Sequence, residues 1–138
     1  MNMKGSCLCG AVSYHCAVAP ALSGNCHCRD CQKASGSGYA PTFFVAEDAV
    51  SIAGEVKYYS HIADSGKRVW RGFCPTCGSQ LFGKVEAMPG LLAIRAGTLD
   101  DPAQYHPDVD IYTSRAAPWD PIPDSATTFP EMPPRPGG

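Results

Sequence analysis

The chain has no excess of positive charge: its formal net charge is −2 and its pI is near 6.0. That excludes the basic footprint expected of a nucleic-acid-binding domain. Basic residues are scattered, and the densest run is GKRVWRG, residues 66–72. Polar and apolar residues alternate in it, which reads as the solvated face of a strand rather than a phosphate site. Long apolar runs are missing as well. No uncharged apolar stretch reaches the roughly 18 residues of a membrane-spanning helix, so no membrane partner is expected. The opening MNMKGSCLCG has a single Lys and no apolar core, unlike a secretory leader. There is no strand–helix–strand repeat and no glycine fingerprint for nucleotide phosphates, which excludes a dinucleotide-binding fold.

What is present points to a small β-rich domain. With 138 residues and 44% hydrophobic content, the chain is expected to bury one modest core. Segments 11–16, 40–45, 56–62, 68–74, 79–85 and 91–97 are rich in β-branched and aromatic residues, and most are bounded by Gly, Pro, Asp or Ser. They predict a sandwich or curled sheets. One helical turn is expected at RDCQKAS, where neither Pro nor Gly interrupts. From Pro118 onward lie seven of the 13 prolines. Repeated proline removes backbone donors and blocks helix. The compact domain is therefore expected to span residues 1–122, with 123–138 a proline-rich tail, extended, packed along the surface or disordered.

The eight cysteines carry the chemistry. Without an export signal, they point to a reducing compartment, the cytoplasm, and to metal ligation rather than disulfides. FCPTCGSQLF has the form of a zinc knuckle: Cys74 and Cys77 flank a Pro-containing turn, and a Gly follows. Such a knuckle supplies half a tetrahedral site. The glycine-flanked GSCLCG, with Cys7 and Cys9, is the natural other half. A four-thiolate site has no position left for substrate, so Cys7, Cys9, Cys74 and Cys77 read as a structural zinc site.

That allocation leaves CHCRDC, with Cys26, Cys28 and Cys31, as a three-thiol cluster. Cys16 lacks a knuckle and reads as a small buried hydrophobe. His27 lies between two ligands and is expected to point away; His15, His61 and His106 read as packed or surface histidines. The fourth position therefore reads as open, the arrangement of a catalytic zinc. Three thiolates on Zn²⁺ leave about one net negative charge. Such a centre is a poor ioniser of water but a soft acceptor of another sulfur, so thiol activation or transfer fits better than hydrolysis.

GSCLCGAVSY, NCHCRDCQKASGSGYAPTFF, FCPTCGSQLF, IRAGTLDDP and YTSRAAPW, in that order from Gly5 to Trp119, resemble the glutathione-dependent formaldehyde-activating enzyme family, which includes centromere-protein-V-like proteins. The resemblance implies a β-rich zinc fold similar to that of a small Rab-associated exchange factor. It implies a structural zinc on Cys7, Cys9, Cys74 and Cys77, and a catalytic zinc on Cys26, Cys28 and Cys31. The implied reaction joins the thiol of glutathione to formaldehyde, giving S-(hydroxymethyl)glutathione, formally a carbon–sulfur lyase run backwards. A thiol with two carboxylates would want cations near the open zinc. Arg29 and Arg115 are the candidates, each with a surface ion pair as its simpler role. Ser35 to Gly38 is a candidate wall for the ligand, while Tyr39, Phe43 and Phe44 read as core or pocket lining. A second reading is a non-catalytic zinc-stabilised β module that docks a protein partner.

Overall fold

A computed structural model describes residues 2–133. Among these the chain forms ten strands and one α-helix. They are β1 (Met3–Ser6), β2 (Ser13–Cys16), β3 (Leu22–Cys26), α1 (Arg29–Ser35), β4 (Ala40–Ala46), β5 (Val50–Ala53), β6 (Lys57–Ile62), β7 (Arg68–Phe73), β8 (Gln80–Val85), β9 (Leu91–Arg95) and β10 (Val109–Ile111). The six β-rich segments and the RDCQKAS helix are where the sequence places them. Four short strands go beyond that expectation: β1 and β3 lack β-branched and aromatic residues, and β5 and β10, VSIA and VDI, are too short to stand out. MKGS and LSGNC contain Gly, Ser and Asn, which have little intrinsic strand preference, so pairing with neighbours makes them strands.

The strands form two sheets, β1-β2-β5 and β10-β3-β4-β9-β8-β7-β6. All pairings are antiparallel except that of β10 on β3. The core lies between the sheets. Met3, Tyr14 and Cys16 of the small sheet pack in one buried cluster with Phe43, Val45, Phe82, Leu92 and Ile94 of the large one. Tyr14 and Phe82 meet edge to face, with centroids 5.6 Å apart. No helix among the described residues is long and apolar enough to cross a membrane.

Strand register determines what the other face of the large sheet presents. Arg71 is opposite Gly83, Gly83 opposite Ala93, and Arg95 opposite Thr42. Directly paired residues project to one face, and alternate residues return to it. Since Phe43, Phe82 and Ile94 face the core, Arg71 and Arg95 face away from it. Here the structure corrects the reading of residues 66–72 as a solvated strand face: Arg71 is only 8% exposed. Helix α1 covers this side, so a charge that alternation would put in water is buried.

Beyond β10 the chain doubles back. Asp110 N–H donates to Thr127 O at 2.9 Å, Phe129 N–H to Asp110 O at 2.9 Å, and Tyr112 N–H to Glu131 O at 3.2 Å. Residues 127–131 thus run extended beside 110–114. The part of the proline-rich tail beyond Pro133 lies outside the described residues.

Candidate functional site

The cysteines fall into two groups. Sγ atoms of Cys7, Cys9, Cys74 and Cys77 all lie within 4.8 Å of one another, and so do those of Cys26, Cys28 and Cys31. The first group joins the β1–β2 turn to the β7–β8 turn. Glycine makes both turns possible: Gly10 and Gly78 follow the thiol pairs at φ of 80° and 78°, a region that L side chains rarely adopt. For tetrahedral zinc with Zn–S of about 2.3 Å, the sulfur–sulfur edge is about 3.8 Å. Cys7–Cys9 is 3.7 Å and Cys9–Cys74 is 3.8 Å, so the donor set fits zinc.

Hydrogen bonds surround these sulfurs. Val12 N–H donates to Cys7 Sγ at 3.3 Å, and Cys77 N–H donates to Cys74 Sγ at 3.5 Å. The Ser79 hydroxyl lies 3.2 Å from Cys77 Sγ. That hydroxyl and the Ser79 amide hold the Cys77 thiol down to about 5. Cys7 and Cys74 are buried and belong to the hydrophobic cluster, so the site is part of the core rather than an attachment to it.

The second group is built at the junction of β3 and α1. Cys26 ends the strand, and Cys28 is the helix N-cap, its sulfur accepting from Cys31 N–H at 3.2 Å. No fourth His, Cys, Asp or Glu ligand atom joins this group among the described residues. Cys16 is fully buried in the core, its thiol 3.6 Å from Val18 O. Three soft donors, all within 4.8 Å of one another, also suit zinc, with no fourth protein donor among the described residues. The thiols differ electrically. Cys28 and Cys31, then burial, push Cys26 up. Hydrogen bonds from Cys26 and Cys28 hold Cys31 well below the ordinary thiol value against burial, helped by the charges of Arg95 and Arg71.

His27 is turned away from the sulfurs, as the extended segment suggested. It is 1% exposed, with Nδ1 2.6 Å from Asp120 Oδ2 and Nε2 2.7 Å from Asp110 Oδ1. A neutral imidazole has one N–H, so two carboxylates on its two nitrogens require one further proton within the trio. Gln32, buried on α1, donates from Nε2 to His27 O at 2.7 Å and to Arg115 O at 2.9 Å. Sequence reasoning missed Asp110 and Asp120, which lie 83 and 93 residues from His27 with no spacing pattern to link them.

The arginines are distributed differently from the sequence-based expectation. Arg29 is exposed and donates to the Gln32 side-chain oxygen. Arg115 is half exposed, 3.8 Å from Asp64. The cations that reach the three-thiol group are Arg71, with Nη1 4.0 Å from Cys31 Sγ, and Arg95, whose charge acts on Cys31. The pairing register of β7, β8, β9 and β4 puts both there, and no local sequence pattern carries it. Phe43 is core; Gly38 packs under Trp119, whose indole is otherwise exposed.

Comparison with known proteins identifies the family and the fold. A family model described as glutathione-dependent formaldehyde-activating enzyme matches residues 2–115. Two fungal proteins, each named "Putative glutathione-dependent formaldehyde-activating enzyme", are similar. The one from Pyrenophora teres f. teres is 31% identical over 93 residues, 61% of this chain and 46% of that protein. The one from Penicillium rubens is 34% identical over 92 residues, 60% of this chain and 48% of that protein. The chain thus spans about half the length of the curated relatives it matches. A crystal structure of a Rhodobacter sphaeroides protein shares the fold, with TM-score 0.55 and 23% identity, over 71% of this chain and 88% of that one.

Proposed function

The chain belongs to the glutathione-dependent formaldehyde-activating enzyme family, and from that premise we propose that it is a zinc-dependent carbon–sulfur lyase working in the direction of thiol addition. Its substrates in this reading are glutathione, or a related small thiol, and formaldehyde or another small aldehyde. The sulfur–carbon bond forms as the carbonyl π bond breaks, and the proton given up by sulfur ends on the new hydroxyl. Nothing is oxidised or reduced. The observation that carries the reading is the difference between the two cysteine groups: four mutually close thiols, two of them in the core, and three with no fourth donor beside a buried arginine.

Cys7, Cys9, Cys74 and Cys77 would hold a structural zinc. Cys26, Cys28 and Cys31 would hold a catalytic one, which supplies a soft Lewis-acid centre that favours thiolate over thiol. The chain's own residues do the rest. Cys28 and Cys31 N–H fix the cluster to the start of α1. The His27 clamp holds the intervening loop, and Arg71 places positive charge where sulfur carries negative charge. Such free thiols are at home in a reducing compartment such as the cytoplasm.

Metal analysis and adduct kinetics test the reading together. Two zincs per chain and S-(hydroxymethyl)glutathione formation above the uncatalysed condensation are expected. Two zincs with no acceleration would remove formaldehyde from the reading while keeping the metal sites.

A further inference from the structure

Two cavities meet beneath α1. One, of about 460 Å³, includes Asp30, Lys33, His61, Arg71 and Gln80 in its lining. The other, of about 420 Å³, includes Ser35, Gln80, Arg95 and Thr98. Ala34 and Gln80 line both, so together they form one trough along the outer face of the large sheet. The three thiols line neither part; the trough reaches them through Arg71, 4.0 Å from Cys31 Sγ.

Its wall carries polar groups that the fold leaves unmatched. Arg71 donates from Nε to His61 Nε2 at 3.0 Å and points Nη1 at the Cys31 sulfur, and it meets no carboxylate among the described residues. Arg95 donates from Nη1 to Thr42 Oγ1 at 2.9 Å, and its Nε is buried with no acceptor. Gln80 Oε1 is buried with no donor. A protein does not leave such groups unpaired without cost, and a ligand that pairs them recovers that cost on binding. Charge gives the same sign. Three thiolates and one zinc would leave about one negative charge and Asp30 adds another, while Arg71, Arg95 and Lys33 add three positive ones, so the neighbourhood is short of about one anion.

Unpaired guanidinium N–H calls for a carboxylate, and an unpaired amide oxygen calls for an N–H donor. An inorganic oxyanion answers only the first demand; an amino acid or peptide answers both. We infer that this trough binds the main chain of a peptidic thiol, with a carboxylate on Arg71 and Arg95 and an amide or ammonium N–H on Gln80 Oε1. The ligand's sulfur is then directed to Cys26, Cys28 and Cys31. The assignment rests on the thiol-addition reading and names the residues that select the thiol.

The test uses the full-length, zinc-loaded protein and S-methylglutathione, which keeps glutathione's carboxylates, ammonium and amides but has no thiol proton to lose. Calorimetric titration should show binding to the wild type, and at least tenfold weaker binding to Arg71→Met and Gln80→Glu. The new carboxylate in Gln80→Glu takes the ligand's place beside the arginines, so its Tm should rise while affinity falls. Binding to both variants within twofold of wild type, or no binding to the wild type, overturns the inference; so does inorganic phosphate competing on equal terms. Should Arg71→Met lose zinc, Gln80→Glu decides alone. If the binding pattern holds but glutathione and formaldehyde give no accelerated adduct, the trough stands and the formaldehyde reading falls. If adduct forms with unchanged kcat/KM in both variants, the trough falls and the reaction stands.

Discussion

Residues in the two cysteine groups are held in different ways, and substitution should separate them. Cys77 shares its site with Cys7 and Cys74, both embedded in the core, so losing a ligand there exposes the core to an unfilled metal site. Cys77→Ser should lower unfolding stability by at least about 4 kcal/mol, the range associated with loss of a structural metal. Cys28→Ser keeps an oxygen able to cap α1, so denaturant titration should show a loss under about 2 kcal/mol, with adduct formation abolished. Equal losses would favour the docking-module reading. At Asp120, the 2.6 Å bond to His27 makes a second prediction. Asp120→Asn should cost about 1.5–3 kcal/mol, the worth of a charge-assisted bond, and should speed zinc release to a chelator from the three-thiol group only. The sequence showed both thiol groups because ligand spacing is local: C-x-x-C and C-x-C-x-x-C can be read within six residues. The His27 clamp depends on loops brought together from distant segments and the Arg71–Arg95 pair on strand register, and no local pattern encodes either.

Elements in this fold are short, and their placement depends on close backbone approach. Strand β1 bridges Leu99 through Gly5. A Cβ there would sit 2.3 Å from Thr98 O and 2.3 Å from the Tyr14 hydroxyl. Gly5→Ala should therefore cost about 2–3 kcal/mol as overpacking, seen as a lower denaturant midpoint. Because β1 leads directly into Cys7, zinc at the four-thiol group should also become easier to extract. The sequence made the longer strands visible through aromatic and β-branched residues, and it made α1 visible through the absence of breakers. It could not reveal β1, β3, β5 or β10. Strands of three to five residues, two of them rich in Gly, Ser or Asn, exist because a neighbour supplies hydrogen bonds, and the neighbour is known only from the fold.

For the whole molecule, folding, metal and protons are linked. Cys26 is raised by Cys28 and Cys31, whereas Cys31 is held well below the usual thiol value. Cys28 is pushed up to about 11, because the bond from Cys26 that lowers it is outweighed by Cys31 and burial. Zinc must therefore displace protons from the two raised thiols, Cys26 and Cys28. Binding should weaken as pH falls, by about a hundredfold per unit between pH 7.5 and 6.5, as measured by chelator competition. The tail gives a second whole-chain prediction. Deleting residues 124–138 removes the bond that Asp110 N–H donates to Thr127 O and the one that Phe129 N–H donates to Asp110 O. It should lower Tm by several degrees and, through Asp110 and His27, loosen the three-thiol group more than the four-thiol one.

The His27 clamp also imposes an order on biosynthesis. The four-thiol group is complete once Cys77 has emerged from the ribosome, but Asp110, Asp120 and the strand that braces Asp110 come much later. A nascent chain can therefore lock its scaffold around one ion while still tethered. The three-thiol group is braced only later, when segments 83 and 93 residues further along return to the loop that carries His27.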